Sequence, residues 1–274
     1  MIIKTGKNNQ FGTSMEGKDM LQSQRQQEIY EYLQVKKSAS VALLCERFYA
    51  SGATIRRDLC ALEHKGLIRR THGGAVLYEG GNDELSVTIR EQSAVPQKRI
   101  IGELASYFLK DSYRVFLDSS STAGYMLPYL RGVKNLSVIT NGLRSAMLLS
   151  QAGVHEVYLP GGRLLERSNS LVGSDTLQSL DSYCADVAFF SCSGLDPRFG
   201  ITEANPEQAQ VKRRMLKRAK TKILLCDSTK FYRSFLYQTC GFGDVDYLIT
   251  DQRPGEDILA LLEGTACDLV CPQL

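Results

Sequence analysis

The sequence predicts an α/β protein of two domains: a smaller helical domain at the N-terminus and a larger one built on a mostly parallel sheet. The 274 residues, 43% of them hydrophobic, are more than one small domain needs and enough to fill two cores. Apolar residues recur at helical spacing early in the chain, whereas strand-like runs alternate with helical segments later. We therefore expect a mobile tail at 1–20, a first domain at 21–78, a linker at 79–96 and a second domain at 97–274.

The charge of the chain is concentrated in the first domain. The whole chain carries +3, whereas residues 21–78 hold nine Lys or Arg and five Asp or Glu, so this segment has 9 − 5 = +4 and the rest −1. A basic patch confined to one small domain is typical of a protein that binds a polyanion.

Composition also indicates where the protein acts. The sequence has neither an apolar run of membrane-spanning length nor the apolar core of a secretion signal, so we expect a cytoplasmic protein without membrane partners. The eight cysteines are scattered, with no C-x-x-C pair and only three histidines in the chain. We expect reduced, mostly buried thiols, no metal site and no cofactor.

The first domain is predicted to contain three helices joined by short connections. Ile29 and Leu33 have helical spacing in the first helix, Ser40 is placed to cap the second, and Ser51 is placed to cap the third. Gly66 suits the left-handed position that ends a helix. The predicted helices cover 24–35, 41–48 and 52–65.

The third helix has the pattern of a recognition helix. Its inward face is predicted to be Ile55, Leu59 and Leu62. Arginines in the first turns can bind guanine edges or phosphates, and the N-terminus of a helix itself favours an anion. The residues predicted to face outward are Thr54, Arg56, Arg57 and Asp58.

A basic hairpin is predicted directly after this helix. Residues 67–76 read as a short strand, a turn at Gly73-Gly74 and a second strand, which together form a wing. For Arg69, Arg70 or His72 taken singly, a solvated hairpin explains the residue as well as a phosphate contact does. The wing and the helices together favour a winged helix-turn-helix.

Residues 51–76, SGATIRRDLCALEHKGLIRRTHGGAV, resemble the DNA-binding signature of the DeoR family of bacterial sugar-operon regulators. The resemblance implies that Thr54, Arg56 and Arg57 lie on the DNA-contacting helix. It places Arg70, His72 and Gly73 on the wing. The complete set of residues expected to bind DNA is Ser40, Ser51, Ala53, Thr54, Arg56, Arg57, Arg69, Arg70, His72 and Gly73.

The second domain is predicted to begin with a helix over Lys98–Leu109, after a possible short helix around 85–92 in the linker. Strand-like runs then alternate with helical segments, which indicates a mostly parallel sheet covered on both faces. The predicted strands are 113–118, 136–140, 154–159, 186–192, 222–227 and 247–250.

Polar clusters follow these predicted strands one after another along the chain. Since ligands of open α/β sheets bind beyond the carboxyl ends of the strands, the clusters predict a binding site. Hydroxyls, backbone N–H groups and basic side chains favour a phosphorylated sugar or polyol, although each cluster alone could be a simple turn or cap. The candidate ligand-binding residues are Asp118, Ser119, Ser120, Ser121, Thr122, Thr140, Asn141, Gly161, Gly162, Arg163, Gly194, Asp196, Glu203, Lys212 and Lys230.

The helix predicted over Pro206–Lys220 begins with a capping box, with Asn205 as N-cap and Gln208 as the third helical residue. Its many basic residues favour a solvated face, with Lys212 as a candidate to reach the ligand.

The second domain resembles the sensor domain of the same family, through the segments VFLDSSST, VITNG, LPGGR, FFSCSGLD, GITE and DSTKF. That domain is similar in fold to ribose-5-phosphate isomerase and CoA transferases. The resemblance implies a phosphosugar or related inducer that relieves repression, and a homodimer or homotetramer. Family members more often have Gly-Thr-Thr where this chain has Ser120-Ser121-Thr122, so no particular sugar is carried over.

Three functions fit these patterns. The leading hypothesis is a repressor of a carbohydrate-utilisation operon that binds double-stranded operator DNA under the control of a phosphorylated effector. The alternative is a sugar-phosphate isomerase fused to a DNA-binding module, with Asp196, Glu203 and Lys230 as its acid, base and electrostatic partner. A third is an architectural DNA-binding protein without a ligand, which leaves the polar clusters unexplained.

Overall fold

The computed structural model describes residues 22–64, 67–77 and 86–272. Its contacts divide the chain into two units, Met1–Glu79 and Gly80–Leu274. The tail expected at 1–20, the helix end at Gly66 and the first half of the expected linker lie outside the described residues. Within the described residues, no helix is both long and apolar enough to cross a membrane.

The first unit, here called the DNA-binding unit after the function that its sequence predicts, has the order of elements of a winged helix. Strands β1, β3 and β2 form an antiparallel sheet in that order. The three predicted helices and the wing are confirmed, and β1 is an addition that the sequence did not indicate. The elements are α1 Gln22–Lys36, β1 Ser38–Ser40, α2 Val41–Phe48, α3 Gly52–His64, β2 Ile68–Thr71 and β3 Gly74–Leu77.

Local side-chain bonds fix the starts of α2 and α3. The Oγ of Ser40 accepts a hydrogen bond from the N–H of Leu43 at 3.2 Å, and the Oγ of Ser51 accepts one from the N–H of Thr54 at 3.2 Å. Both are N-caps of the predicted kind. Gly74 lets β3 approach β1 closely, because a Cβ there would lie 2.1 Å from the carbonyl oxygen of Ala39.

The inward face of α3 is as predicted, but the prediction for Asp58 was wrong. Asp58 is only 1% exposed. Its carboxylate accepts hydrogen bonds from Arg25 Nε at 2.6 Å and Gln26 Nε2 at 3.1 Å, so it joins α3 to α1. An aspartate can occupy the interior when a cation and an amide compensate its charge.

The second unit, here called the sensor unit after the domain that its sequence resembles, is built on a parallel sheet, as predicted, with seven strands. The strand order is β15-β14-β12-β9-β4-β5-β6, so β4 and β9 lie at its centre. In chain order the elements up to the middle of the unit are α4 Val87–Gln92, α5 Val95–Ser106, β4 Arg114–Leu117, α6 Ser121–Gly124, α7 Leu127–Leu130, β5 Ser137–Thr140, α8 Leu143–Gln151, β6 Glu156–Tyr158, β7 Arg163–Leu165, β8 Ser170–Val172 and α9 Ser174–Asp181. The remaining elements are β9 Ala185–Phe190, β10 Gly194–Asp196, β11 Gly200–Glu203, α10 Pro206–Lys217, β12 Ala219–Leu225, β13 Tyr237–Cys240, β14 Tyr247–Ile249, α11 Glu256–Glu263 and β15 Asp268–Val270.

The six predicted strands are present with their ends shifted by up to three residues, whereas several short strands were missed. β7 pairs with β8, and β10, β11 and β13 form a separate antiparallel sheet. The predicted first helix begins at Val95 rather than Lys98, with Pro96 in its first turn. The second half of the expected linker is therefore helical, in α4 and the start of α5.

Apolar side chains cover both faces of the parallel sheet. Successive residues of a strand point to opposite faces, so Phe189 packs with Ile101 and Ile249, whereas Phe190 packs with Met215 on the other side. All eight cysteines are free thiols. The expectation that most are buried was wrong, because only Cys192, Cys226 and Cys267 are.

Candidate functional site

The DNA-binding unit presents basic side chains on the first half of α3. Arg56 and Arg57 are exposed, as is Ala53 in the first turn. Thr54 is half-buried, and its hydroxyl lies 2.9 Å from the Ser51 hydroxyl, so both hydroxyls are engaged in the helix cap. This surface combines two free guanidinium groups with the positive end of a helix dipole, which suits a phosphate or a guanine edge.

The wing is held against α3 by an ion pair. Glu63 accepts a hydrogen bond from the backbone N–H of Arg70 at 2.8 Å and pairs with its Nε at 3.0 Å. His72 and Gly73 are exposed in the turn, and Arg56, Arg70 and His72 line a cavity of about 430 Å³ between helix and wing. The side chain of Arg69 lies outside what the structure describes.

In the sensor unit, Asp118 organises the loop after the central strand β4. One carboxylate oxygen accepts hydrogen bonds from the hydroxyl and, at 3.0 Å, the N–H of Ser120. The other accepts the N–H of Ser191 at 3.0 Å, which links the loop to the end of β9. The 118–122 loop is thus shaped by a buried carboxylate rather than left free in solvent.

Lys212 compensates that carboxylate. Its ammonium lies 3.3 Å from Asp118, forms a closer ion pair with Glu203 and donates to the Ser191 carbonyl at 2.8 Å. Burial opposes its positive charge, but Glu203 and Asp118 hold its pKa above the ordinary lysine value. Lys212 lies at the end of the sheet where the candidate ligand residues were expected. It is on the buried side of α10, whereas the sequence pattern favoured a solvated face for this helix.

Lys230 approaches the same loop from the segment after β12. Its ammonium donates to Thr122 Oγ1 at 3.0 Å and Ser191 Oγ at 2.8 Å, and lies 3.3 Å from Asp227. Burial opposes the charge here too, yet Asp227 keeps the pKa of Lys230 raised. The structure therefore brings together predicted residues from β4, β11, α10 and the β12 loop.

Lys98 is a third buried lysine at this loop, and the sequence interpretation did not include it. It donates to Ser121 Oγ at 3.2 Å, to the Ser93 carbonyl at 2.8 Å and to the Arg90 carbonyl. Burial, and then the charge of Lys230, lower its pKa to about 7. In the sequence, Lys98 stands in helical register with Ile101 and Ala105, and this spacing could have marked it as an inward-facing residue.

Gln208 also has a role that the capping-box prediction missed. Asn205 caps α10 as predicted, because its Oδ1 accepts the N–H groups of Glu207 at 2.9 Å and Gln208 at 3.1 Å. The side chain of Gln208 does not return to the cap. It bonds to Ser119, Ser168 and Ser170 instead, which joins α10, the 118–122 loop and the segment around β8.

Thr140 and Asn141 lie beside this loop, at the end of β5. Thr140 Oγ1 accepts the N–H of Gly142 at 3.1 Å, and Asn141 Nδ2 donates to the carbonyl of Leu171 at 3.2 Å. In the described part of the chain, the buried Oδ1 of Asn141 has no hydrogen-bond partner. A Cβ on Gly142 would lie 3.2 Å from Ser119 Cα, so the two strand ends are in direct contact.

Five predicted ligand residues have local structural contacts instead. The carbonyl of Gly161 accepts the Thr176 hydroxyl at 2.7 Å, and a Cβ on Gly162 would lie 2.1 Å from that hydroxyl oxygen. The exposed Arg163 pairs with Glu207. Gly194 has no room for a Cβ beside Arg233, and Asp196 accepts the N–H groups of its own turn. Their roles in ligand binding stay predictions.

A cavity of about 350 Å³ opens above the loop. The loop residues Ser119, Ser120 and Ser121 form its polar end. The opposite end is mainly apolar and includes Leu127, Pro128 and Leu148, with Glu91 and Arg144 at its edge. The volume falls within the range of small-molecule sites. The polar end offers serine hydroxyls to a ligand. Of the three lysines at the loop, Lys212 and Lys230 are paired with carboxylates, whereas Lys98 bonds to neutral oxygens.

Comparison with known proteins identifies both units. Residues 25–80 match the model of a DeoR-like helix-turn-helix domain, and residues 93–252 match that of a DeoR C-terminal sensor domain. The chain is 37% identical over 232 residues to the HTH-type transcriptional regulator YulB of Bacillus subtilis, covering 85% of this chain and 90% of that protein. It is 34% identical over 251 residues to the HTH-type transcriptional repressor GlcR of Bacillus subtilis, covering 92% and 96%.

Among solved structures, the chain is similar to a D-ribose-5-phosphate isomerase in complex with phospho-erythronic acid. The match covers 49% of this chain and 52% of that one, at 18% identity and a TM-score of 0.37. A similarity at that level does not indicate function.

Proposed function

The chain belongs to the DeoR family of DNA-binding transcriptional regulators, and from this premise we propose that it is the repressor of a carbohydrate-utilisation operon. A phosphorylated sugar or sugar derivative in the sensor unit lowers its affinity for operator DNA. The protein acts in the cytoplasm as a homodimer or homotetramer, because a symmetric pair of recognition helices fits the two half-sites of an operator.

The single observation that supports a phosphorylated effector best is the convergence of Lys98, Lys212 and Lys230 around the 118–122 loop. Lys212 and Lys230 are balanced by carboxylates, whereas Lys98 bonds to neutral oxygens, so the charge of Lys98 is the one that an anion can compensate. The serine hydroxyls nearby are suited to a phosphate or to sugar hydroxyls. The mainly apolar opposite end is open to the carbon skeleton of the ligand.

We propose binding without turnover. The acid, base and electrostatic partner considered for an isomerase are not assembled as a reactive group. Glu203 is paired with the buried Lys212, and Asp196 bonds to its own turn. A regulator needs a ligand that binds and dissociates unchanged. A carboxylate that is already paired with a lysine is suited to this role.

The test is fluorescence anisotropy with labelled DNA from upstream of the protein's own operon, at several salt concentrations, with and without a panel of sugar phosphates. We expect tight, salt-dependent binding that one phosphorylated compound weakens at least about fivefold. Binding that no compound changes would refute the effector part of the proposal. Turnover of a sugar phosphate would refute the statement that the sensor unit only binds.

The DNA-binding surface is tested by charge reversal. Arg56→Glu with Arg57→Glu should weaken operator binding at least about 30-fold, since each bidentate arginine contributes about 1–3 kcal/mol. The sugar phosphate affinity should not change. The matched control is Arg213→Glu, an exposed arginine of α10 in the sensor unit, which should leave operator affinity within about twofold. Normal operator binding by the double variant would show that α3 is not the recognition helix.

A further inference from the structure

Helix α4 forms one wall of the cavity in the sensor unit, although the sequence placed it in the linker. Val87 and Glu91 line the cavity, and Val87 and Ile89 are buried. α4 is also the first described element after Leu77 in the chain, so the DNA-binding unit is covalently attached to the sensor unit through it.

Three side chains from three other elements hold α4 in place. Tyr125 donates its hydroxyl to the carbonyl of Glu91 at 2.8 Å, and Arg144 forms an ion pair with the Glu91 carboxylate. Lys98 donates to the carbonyls of Arg90 and Ser93, at the end of α4. A helix of six residues is not stable alone in water, so α4 keeps its position through these contacts and through the burial of Val87 and Ile89.

Lys98 links the end of α4 to the loop at the polar end of the cavity. The same ammonium that caps the end of α4 donates to Ser121 Oγ, in the loop at the polar end of the cavity. All three of its hydrogen bonds use neutral oxygens. A phosphate carries a full negative charge, and in a site shielded from water it attracts this ammonium more strongly than a neutral carbonyl oxygen does, so a phosphate at the loop competes effectively for it.

We propose that α4 is the wall of the effector site that responds to the ligand. An anion bound at the 118–122 loop draws the Lys98 ammonium away from the carbonyls of Arg90 and Ser93, and α4 is loosened as a result. This inference rests on the proposed function, since it assumes a phosphorylated effector in that cavity. It assigns to Lys98 and Tyr125 a part in the regulation that neither the motifs nor the family comparisons give them.

The charge of Lys98 makes this response larger. Burial and the neighbouring Lys230 lower the pKa of Lys98 to about 7, with Arg90 acting in the same direction and Asp227 opposing it. A bound dianion favours the protonated form, so Lys98 gains its full charge when the ligand is present. The ammonium is then held by the ligand more strongly than by the carbonyls of α4.

The first experiment measures hydrogen exchange at the α4 amides of the full chain, with inorganic phosphate and with each compound of a sugar phosphate panel. The probes are the N–H groups of Arg90 and Ser93, which bond to Ser86 and Ile89 within α4. Exchange at these amides should become at least about fivefold faster when a compound binds, while amides of β9 stay unchanged. Slower or unchanged exchange under saturating ligand would overturn the proposal.

The second experiment separates the wall from the anion site with Tyr125→Phe. The variant removes the hydroxyl that holds Glu91 but leaves the loop and Lys98 intact. We expect α4 exchange that is already fast without ligand, and an effector response of the operator affinity reduced at least about threefold. Sugar phosphate affinity should be no weaker than that of wild type, because the ligand meets an α4 that is already loose. The matched control is Tyr129→Phe in α7, a partly exposed tyrosine outside the cavity lining, which should behave as wild type.

The outcomes distinguish the two proposals. If a sugar phosphate binds and weakens operator binding equally in wild type and Tyr125→Phe, the role of α4 is wrong and the proposed function stands. If no compound of the panel binds the wild-type protein, both the effector and the role of α4 are refuted.

Discussion

The DNA-binding unit and the sensor unit use charged side chains in opposite ways. In the first, Arg56 and Arg57 are exposed and have the freedom to meet a partner. In the second, Lys98 and Lys212 are 3% and 4% exposed and are fully engaged by protein oxygens.

The difference fits what each unit is proposed to bind. DNA phosphates lie on the outside of a large polyanion, so a surface that meets them can stay solvated until binding. A small anion has to be enclosed, so the charges around it must be buried in advance and compensated by neighbouring groups. Substitutions should therefore affect function alone in one unit, and stability together with function in the other.

The largest effect is expected for Lys212→Met. The change leaves the buried carboxylates of Asp118 and Glu203 without their cation, and loss of one partner of a buried pair costs about 3–5 kcal/mol of unfolding free energy. Urea unfolding of the intact chain, followed by circular dichroism, measures this loss. The control is Lys217→Met, an exposed lysine of the same helix, which should change the free energy by less than about 0.5 kcal/mol.

An equal stability of the Lys212 and Lys217 variants would contradict the contrast between the units. A second change separates charge from packing: Glu203→Gln added to Lys212→Met should recover part of the lost stability, because it removes one of the two unpaired carboxylates.

Asp58 is an exception within the DNA-binding unit, and its replacement tests how far the contrast extends. Asp58→Ala leaves Arg25 and Gln26 without their buried acceptor, so we expect a loss of about 1.5–3 kcal/mol from the stability of that unit. Hydrogen exchange at the slowest amides of α1 and α3 measures it. Glu46→Ala, at an exposed carboxylate of α2, should leave those rates almost unchanged. Equal exchange in the two variants would mean that the Asp58 contacts contribute little.

The smallest expected effect is a pH dependence due to Lys98. Its pKa in the folded protein is about 7, below its ordinary value of 10.5, so between these values the unfolded chain binds more protons than the folded one. The free energy of unfolding therefore rises with pH above 7, by at most about 1.4 kcal/mol per pH unit from this group. Below pH 7 both states are protonated, and this contribution to the slope disappears.

Urea unfolding of wild type and Lys98→Met at pH 7, 8 and 9 isolates this contribution as the difference between two slopes. Lys134→Met, at an exposed lysine of the same unit, should retain the slope of the wild type. Parallel slopes for wild type and Lys98→Met would show that burial does not lower the pKa of Lys98.

Features determined by local chemistry could be predicted from the sequence. Ser40 and Asn205 cap helices as expected, because each cap bonds to N–H groups two or three residues away. Six of the seven strands of the parallel sheet were predicted, because buried strands need continuous apolar runs, whereas the edge strand β15 was missed. The loop at Asp118 was predicted to be part of a site because it follows such a strand.

By itself, then, the sequence determined the family, the two units, the helices and wing of the first unit, and the end of the sheet where the polar residues gather. Only the tertiary structure decided which charges are compensated and which element touches which loop. Asp58 turned inward because Arg25, 33 residues away, neutralises it. Lys98 reached Ser121, 23 residues away, because α5 packs beside α6. Spacing along a chain fixes the periodicity of a helix or strand, whereas the partner of a buried charge depends on distant segments that meet only in the folded protein.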